Sequence, residues 1–207
     1  MRYTGPKKKL CRREGLNLFG TEKYNLSESK RAPLKSKKLS EFGSQLRKKQ
    51  TAKRMFGLSE KQFFSYFTKA QKSRAEGTTG EKMLKLLELR LDNIVYRANF
   101  AITRMQSRQF VSHAHFKLNG VKVDVPSISV KVGDVIQLRE KMKESPLYKS
   151  LIEELDEFSK KNKGSVTNAK WIEVDPKNIT ITIKALPEKE DFDQVIDIKK
   201  IIEFYSK

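Results

Sequence analysis

The chain is poor in the residues from which disulfides and metal sites are built. Its 207 residues include one cysteine, Cys11, and two histidines, His113 and His115. A single cysteine excludes a disulfide framework and points to a reducing compartment. A structural zinc site needs four ligands, and no histidine precedes His113, so four cannot be assembled around Cys11. We therefore expect no metal and no cofactor, with Cys11 packed as a small side chain.

The chain also lacks the features of a membrane protein and of an enzyme. No run approaches the roughly 18 consecutive apolar residues that a membrane span needs, and no apolar segment follows the basic N-terminus as in a secretory signal. There is no glycine-rich phosphate loop, and no Ser-His-Asp or Cys-His order suggests a nucleophile. We expect a soluble, cytoplasmic protein that is not an enzyme, takes no small-molecule substrate and does not enter a membrane.

Positive charge is what the chain has in excess. Lys and Arg number 44 against 25 Asp and Glu, which gives a net charge of +19 and a pI of about 9.9. Residues 1–54 hold 17 of the basic residues and 4 of the acidic ones. So many like charges repel one another unless a polyanion neutralises them. Nucleic acid is therefore the first candidate partner, and an anionic membrane surface is the second.

Residues 1–42 are predicted to form an irregular basic arm. Glycine and proline interrupt this segment repeatedly, and no helical period lasts for two turns. One interpretation is a disordered, solvated tail. Apolar residues at Leu16, Leu18, Phe19 and Tyr24 are unusual in such a tail and favour an arm that becomes ordered when it binds RNA.

Three helical patterns follow the arm. A basic helix spans residues 43–57 and ends at Gly57. Capping boxes, in which a Ser or Thr and a Glu or Gln three residues later bond reciprocally, begin the next two helices at Ser59 and Thr78. Apolar side chains recur on one face of each, which is more typical of a core than of a surface for stacking bases. They are Phe63, Phe64, Phe67 and Ala70 in the first, and Met83, Leu84, Leu87, Leu91, Ile94 and Val95 in the second.

A further capping box, Thr103 with Gln106, predicts a short helix with Arg104 and Arg108 on consecutive turns. We expect the two histidines that follow to cap its C-terminus and to face RNA, with a metal pair as the less favoured alternative. The apolar or small face of this helix is formed by Ser107, Phe110, Val111 and Ala114.

Beyond this helix the apolar period changes from 3.6 to 2, which indicates strands. Asn119-Gly120 predicts a hairpin, because a type I′ turn needs positive φ at both central residues. A second turn at Gly133-Asp134 precedes another strand, and residues 179–183 alternate strictly. Together these patterns predict a helix pair beside a small sheet, with Arg104 and Arg108 held on a rigid surface for phosphates.

A helix is predicted over residues 145–158, with an acidic outer face that should point away from RNA. Its inward residues are predicted to be Leu147, Leu151, Ile152 and Leu155, and its acidic residues are Glu153, Glu154, Asp156 and Glu157. The apolar end of the chain, residues 201–205, is expected to pack on the earlier helices, because it is too apolar for a free tail.

Several of these segments resemble one family. The small RNA-binding module named after small-subunit ribosomal protein S-four has a typical order of motifs. This chain resembles it, with RLDNIVYR, the run from Arg104 to His115, Asn119-Gly120 and VKVGDVI in the same order. Similarity to the same ribosomal family extends outside the module to RYTGPKKKLCRREG, LSEKQFFSYF, TGEKMLKLLELRLDN and IIEFYSK. The chain departs from the family pattern by lacking a zinc-binding cysteine cluster and by having Ser107 where alanine is usual.

The resemblance implies an α+β fold. A helical subdomain would carry an inserted RNA-binding module, in which a helix pair packs on a small, twisted, mostly antiparallel sheet, and a basic N-terminal arm would precede both. We expect the arm at residues 1–42, the helical subdomain at 43–92 with its completion at 187–207, and the module, with its sheet and an extra helix, at 93–186.

The resemblance also implies a function. It is that of a structural component of the small ribosomal subunit, which binds the 5′ domain of the subunit's rRNA at a helix junction and nucleates assembly. Family members lie near the mRNA entry path beside another small-subunit protein and affect decoding accuracy, and some bind their own mRNA. The implied partners are small-subunit rRNA, neighbouring small-subunit proteins and, in some members, mRNA. The alternative is a free-standing RNA-binding or RNA-modifying protein that uses the same module.

Candidate RNA-binding residues are the basic and polar side chains of the arm, the basic helix and the module. Forked guanidinium groups on consecutive turns suit bidentate phosphate contacts, and neighbouring side chains add donors. The candidates are Arg2, Tyr3, Lys7, Lys8, Lys9, Arg12, Arg13, Arg47, Lys48, Lys49, Lys53, Arg54, Arg97, Arg104, Arg108, Gln109, Ser112, His113 and Lys117.

Overall fold

The computed structural model describes residues 3, 5–24, 26, 39–161, 167 and 169–206. These residues form an α+β fold, as predicted, and divide into two compact units. The first unit spans Met1–Leu87 and Phe192–Lys207, and the second spans Glu88–Asp191. These boundaries lie a few residues from the predicted ones at 92/93 and 186/187. The described part of the predicted arm belongs to the first unit.

Helices dominate the first unit, and the second combines helices with strands. In chain order the elements are α1 (Lys7–Glu14), a 3-10 turn (Glu22–Tyr24), α2 (Glu41–Met55), α3 (Glu60–Lys72), α4 (Thr79–Glu88), α5 (Leu91–Arg97), α6 (Arg104–Ser112), β1 (Phe116–Leu118), β2 (Val121–Lys122), β3 (Val135–Leu138), α7 (Glu140–Lys143), α8 (Pro146–Lys161), β4 (Ile172–Asp175), β5 (Thr180–Ile183), a 3-10 turn (Lys189–Asp191) and α9 (Ile198–Ser206).

The predicted arm contains a helix, so the prediction that it is irregular throughout is wrong. α1 begins after Pro6 and ends at Gly15, whose φ of 69° suits a glycine just past a helix C-terminus. Leu10 and Cys11 are buried together with Leu18 in a small cluster of their own. Because basic side chains fill most other positions of α1, its sequence shows no helical period.

An ion-pair cluster joins α1 to α2. The carboxylate of Glu14, whose side chain is 2% exposed, accepts hydrogen bonds from Arg54 and, at 3.2 Å, from Arg47, and the Thr51 hydroxyl lies 3.5 Å away. A buried carboxylate is costly without such partners, so this cluster ties the two helices together. The ordering of the arm on RNA remains a prediction, and the basic blocks at residues 30–31 and 35–38 lie outside the described residues.

The helix ends of the first unit lie where the capping residues and Gly57 predict them. The Ser59 hydroxyl accepts from the Gln62 N–H at 3.3 Å, while Gln62 Oε1 accepts from the Ser59 N–H at 3.2 Å. Thr78 and Glu81 form the same pair of bonds. α2 ends just before Gly57, which has a φ of 62°. Both capping boxes and the glycine at the end of α2 are therefore confirmed.

The core of the first unit lies on the predicted helix faces, with two differences. The predicted helix that begins at Thr78 ends at Glu88, so Leu91, Ile94 and Val95 lie on α5 and in the core of the second unit, and Phe64 is not buried. The buried side chains include Phe63, Phe67, Ala70, Met83, Leu84 and Leu87. Phe64 is 48% exposed, because it follows Phe63 directly and so points about 100° away from it around the helix. Ile201 of α9 belongs to the same core. The predicted packing of the chain's end on the helices is therefore confirmed.

Among the described residues of the second unit, five strands form one antiparallel sheet in the order β2-β1-β3-β5-β4. Asn119-Gly120 joins β1 to β2, and φ values of 50° and 82° confirm the predicted hairpin turn. Gly133 has a φ of 89° and precedes β3. β4 and β5 belong to the same sheet.

The core of the second unit includes an unexpected residue of α8. Leu147 is predicted to point inward but is 46% exposed, and Tyr148 is fully buried instead. Tyr148 can be buried because its hydroxyl lies 2.7 Å from Nδ1 of His115, which satisfies the polar end of the ring. Leu155 is buried as predicted. Other members of this core include Leu91, Ile94, Val95, Phe116, Ile136 and Ile181.

Candidate RNA interface

α6 is anchored at its start and along one face. The Thr103 hydroxyl accepts from the Gln106 N–H at 3.2 Å, and Gln106 Oε1 accepts from the Ile102 N–H at 2.9 Å. The predicted N-cap is confirmed, whereas the return bond of Gln106 is made to Ile102 and not to Thr103. Ser107 and Val111 are fully buried. The opposite face of α6 is therefore the one turned outward.

Two contacts orient the guanidinium group of Arg104. Its Nε donates to Oδ1 of Asn93 in α5 at 2.8 Å, and its Cζ lies 4.4 Å from the centre of the Tyr96 ring. A guanidinium group is attracted to an aromatic face and can lie flat on it. Arg108 follows one turn later on α6 and is half-exposed. The predicted pair of arginines thus lies on one helix, and Arg104 has a defined orientation.

The buried carboxylate of Glu88 holds Asn93, the residue that orients Arg104. Glu88, whose side chain is 1% exposed, accepts from Asn93 Nδ2 at 2.7 Å and from Arg97 at 2.7 and 2.9 Å. Asn93 therefore links Glu88 to Arg104. Arg97, a candidate RNA contact, uses its guanidinium group to neutralise Glu88 in this network. Its contact with RNA remains a prediction.

The other candidate contacts of the module lie at its surface. Gln109, Ser112 and His113 are exposed, and Lys117 of β1 is half-exposed. Lys117 stands directly opposite Lys122 of β2. Like charges at such a position destabilise a sheet unless an anion neutralises them. Sequence reasoning missed Lys122, although a two-residue Asn-Gly loop already implies this register.

His115 packs inward, so the prediction that both histidines face RNA is wrong for this one. Its ring lies 5.3 Å from that of Phe110, and its Nδ1 contacts the Tyr148 hydroxyl. Burial lowers the pKa of His115, and the charges of His113 and Arg139 lower it further. The ring is therefore neutral at neutral pH and unsuited to binding phosphate, whereas His113 is exposed at the C-cap position of α6.

The candidate contacts of the first unit fall into exposed and paired side chains. Arg47 and Arg54 both bond to Glu14, as described above. The exposed ones are Tyr3, Lys8, Lys9 and Arg13, the half-exposed ones include Lys7, Arg12 and Lys48, and Arg2 lies outside the described residues.

Lys49 and Lys53 of α2 both bond to Glu60, at 2.6 and 2.8 Å. Burial alone would raise the pKa of Glu60, but hydrogen bonds from Lys49, Lys53 and Tyr205 outweigh burial and lower the pKa to about 2. Lys49 is almost fully buried, and its Nζ also lies 4.2 Å from the centre of the Phe204 ring. Contact of Lys49 with RNA remains a prediction, and this geometry favours an internal role for the side chain.

Among the side chains that the structure describes, no cluster of three or more His, Cys, Asp or Glu is placed to hold a metal ion. Within residues 3, 5–24, 26, 39–161, 167 and 169–206, no helix is both long enough and apolar enough to cross a membrane.

Two family models match the chain in succession. The model for the ribosomal protein S4/S9 N-terminal domain matches residues 2–88, and the model for the S4 domain matches residues 89–136. The point at which the two matches meet lies within one residue of the boundary between the two structural units. The boundary between the two structural units near residue 88 therefore coincides with the boundary between the two matched domains.

Relatives with the name small ribosomal subunit protein uS4 match the chain over its whole length. Those of Heliobacterium modesticaldum, Caldicellulosiruptor saccharolyticus and Pelobacter propionicus are 45%, 44% and 43% identical over 216 residues, covering 100% of this chain and 99% of each relative. The chain belongs to the S4 family of small-subunit ribosomal proteins. This family is structural and non-enzymatic, so the chain is not an enzyme. Members of the S4 family are components of the small ribosomal subunit, which lies in the cytoplasm in bacteria.

In this member of the S4 family, Ser107 joins α5 to α6. Its buried hydroxyl donates to the backbone carbonyl of Asp92, a bond that alanine cannot make. The carboxylate of Asp92 accepts two hydrogen bonds from Arg90, at 2.9 and 2.7 Å, and both side chains are buried. The serine that departs from the usual alanine thus adds a bond between the two helices of the module.

Replacement of Ser107 by alanine is expected to lower the free energy of unfolding of the second unit by about 1 kcal/mol, because the inter-helix bond is lost. Denaturant titration followed by fluorescence of Trp171, the single tryptophan and a buried residue of this unit, measures the change. Ser112→Ala, at an exposed position of the same helix, is the matched control and should have little effect. Equal effects of the two variants would contradict a role for the Ser107 bond.

Sequence reasoning missed the residues that orient Arg104. Glu88, Asn93 and Tyr96 precede it by 8 to 16 positions and support it because α5 packs against α6. Asn93 and Tyr96 lie in the segment RLDNIVYR, which carries the family resemblance but suggests no contact with Arg104 by its spacing. Only the packing of the two helices reveals this contact.

Proposed function

We propose that this chain binds the rRNA of the small subunit through the outward face of α6, at a helix junction of the 5′ domain, and that this binding nucleates assembly of the subunit. The observation that carries the proposal is the orientation of Arg104 by Asn93 and Tyr96, one turn from Arg108. Membership in the S4 family supports rRNA as the partner and other small-subunit proteins as neighbours.

The structure of RNA explains why rigid arginines are useful. Base edges of an RNA duplex lie in a deep, narrow groove, so proteins recognise it mainly by phosphates and 2′-hydroxyls. Selection by shape requires donors at fixed positions, since mobile cations would bind any duplex. Side chains one turn apart, such as Arg104 and Arg108, have Cβ atoms about 5–6 Å apart. Each guanidinium group can donate two parallel hydrogen bonds to one phosphate.

We also propose that the chain lies near the mRNA entry path and that it affects decoding accuracy. Resemblance to the S4 family supports a position near the mRNA entry path beside another small-subunit protein, and an effect on decoding accuracy. The exposed basic side chains of α1, which include Lys8, Lys9 and Arg13, are suited to the backbone of an RNA strand. They would supply affinity that depends on salt, while α6 supplies the selectivity for a folded junction.

Crosslinking in growing cells, followed by sequencing of the bound RNA, tests the proposal. We expect the reads to concentrate at one helix junction in the 5′ domain of small-subunit rRNA, and the chain to sediment with small subunits. Reads spread over tRNA and mRNA, with the chain at the top of the gradient, would instead support a free-standing RNA-binding protein.

The salt dependence of binding is a second expectation. If the chain neutralises about eight phosphates, the logarithm of the binding constant should fall with the logarithm of salt concentration with a slope steeper than about −5. Filter binding of the purified chain to the junction RNA, over a range of potassium chloride concentrations, measures this slope. A slope shallower than about −2 would mean that few phosphates are contacted and would contradict the proposed role of the basic side chains.

A further inference from the structure

An apolar groove opens at the surface of the second unit. It lies between the loop before α6, α6 itself and the start of α8, and its volume is about 570 Å³. Its lining includes the apolar side chains of Phe100, Ile102, Phe110, Leu147 and Leu151 and the acidic side chain of Glu154. Large apolar side chains in a concave surface are typical of sites that receive an apolar group of a partner.

Ile102 is the most exposed large apolar side chain in this groove, with 70% of its surface accessible. Its backbone N–H donates to Gln106 Oε1 at 2.9 Å, so the α6 cap holds the residue in place. The neighbouring Phe100 and Ala101 are buried, which anchors the loop on its other side. Leu147, on α8, is also half-exposed. An apolar side chain that is held rigidly in water is suited to act as an anchor for a partner.

The charge beside the groove indicates which kind of partner fits. Glu154 lines the groove, and Glu157 follows one helical turn later on α8, with both side chains exposed. These carboxylates lie on a chain whose net charge is +19. They repel phosphate and attract Lys or Arg, so they disfavour RNA and favour a basic polypeptide. A second copy of this chain is disfavoured as well, because two net charges of +19 repel each other.

We propose that this groove binds a segment of a neighbouring small-subunit protein, in which an apolar side chain is flanked by Lys or Arg. The apolar side chain enters between Ile102 and Leu147, and the basic residues pair with Glu154 and Glu157. This inference rests on the proposed function, since the small subunit is what holds such a neighbour close. It assigns α8 to protein contact, while the outward face of α6 binds RNA.

Photo-crosslinking of the full chain in growing cells tests this surface. A benzoyl-phenylalanine at Ile102 should crosslink to a small-subunit protein, at a segment with an apolar residue flanked by Lys or Arg. The matched control carries the same group at Val132, an exposed apolar position of the same unit outside the groove, and should not capture that segment. A crosslink to rRNA, to a second copy or to a protein without such a segment overturns the proposal, and so does the absence of any crosslink.

Charge reversal on α8 provides the second measurement. Glu154→Lys with Glu157→Lys should lower the yield of that crosslink about tenfold, because two attractive pairs beside the groove become repulsive. Glu188→Lys with Glu190→Lys changes the net charge equally at exposed positions elsewhere in the unit and should leave the yield unchanged. An unchanged yield in the first variant also overturns the proposal. Sedimentation of the chain tests the proposed function separately: a chain that sediments with small subunits but gives no such crosslink contradicts the proposal for the groove alone.

Discussion

Reversal of the charge at both Arg104 and Arg108 is expected to lower the affinity for the rRNA junction at least about a thousandfold. Hydrogen bonds to charged groups contribute about 1.5–3 kcal/mol each, so the loss of two guanidinium contacts costs about 3–6 kcal/mol, a range that includes the roughly 4 kcal/mol of a thousandfold change. The introduced carboxylates add repulsion from phosphate. Filter binding of Arg104→Glu with Arg108→Glu to the junction RNA, at constant salt, measures the loss.

The control for this prediction must separate the position of the charge from its amount. Lys141→Glu with Lys149→Glu changes the net charge equally at exposed positions of α7 and α8 and should weaken binding far less. Circular dichroism should show that both double variants stay folded. Equal losses in the two variants would mean that binding depends on overall charge alone, and unchanged affinity in the first would remove α6 from the interface.

A more conservative change separates charge from orientation at Arg104. Arg104→Lys keeps the positive charge but loses the fork, the bond from Nε to Asn93 and much of the flat contact with Tyr96. Its affinity is therefore expected to lie between those of the natural chain and the double reversal. Affinity equal to that of the natural chain would show that the charge alone matters at this position.

Replacement of Glu14 by alanine is expected to release α1 from α2. Removal of one partner from a buried ion pair typically costs about 3–5 kcal/mol, because the other charge is left without compensation. Since Arg47 and Arg54 are partly exposed to water, we expect the lower end of this range. The helix would then lose the bonds that Glu14 makes to both arginines, and the small cluster around Cys11 would open.

Hydrogen exchange of the Lys7–Glu14 amides measures the release of α1 directly. In the natural chain these amides should be protected without RNA, and in Glu14→Ala they should exchange much faster. Glu76→Ala, at an exposed position of the same unit, is the control and should leave exchange unchanged. Rapid exchange of α1 in the natural chain without RNA would instead support the original expectation of an arm that orders only on RNA.

Features that depend on neighbours in the chain were predicted well. The capping boxes at Ser59 and Thr78 and the hydroxyl cap at Thr103 need only a hydroxyl and a suitable side chain three residues away. Asn119-Gly120 needs only residues that tolerate positive φ. The pairing of Lys117 with Lys122 follows from that turn as well, although it was not predicted. Such bonds close within one or two turns of the chain, so their chemistry is present in the sequence itself.

Features that depend on distant partners were predicted poorly. α1 was missed because its stability comes from a carboxylate, Glu14, that reaches arginines 33 and 40 residues later. Tyr148 takes the inward place expected of Leu147 because His115 is there to bond its hydroxyl. Lys49 appears in the sequence as one more basic residue of a basic helix, yet Glu60 and the Phe204 ring hold it inside.

The sequence by itself determined the pair Arg104 and Arg108 on one short helix, because helical period and charge are properties of the chain alone. Its motifs, by their resemblance to the S4 family, implied the class of fold and the rRNA partner. Only the tertiary structure decided how Arg104 is oriented and that Ile102 is exposed beside an acidic helix. A side chain's orientation depends on which atoms surround it, and those atoms come from elements that meet only when α5, α6 and α8 are packed together.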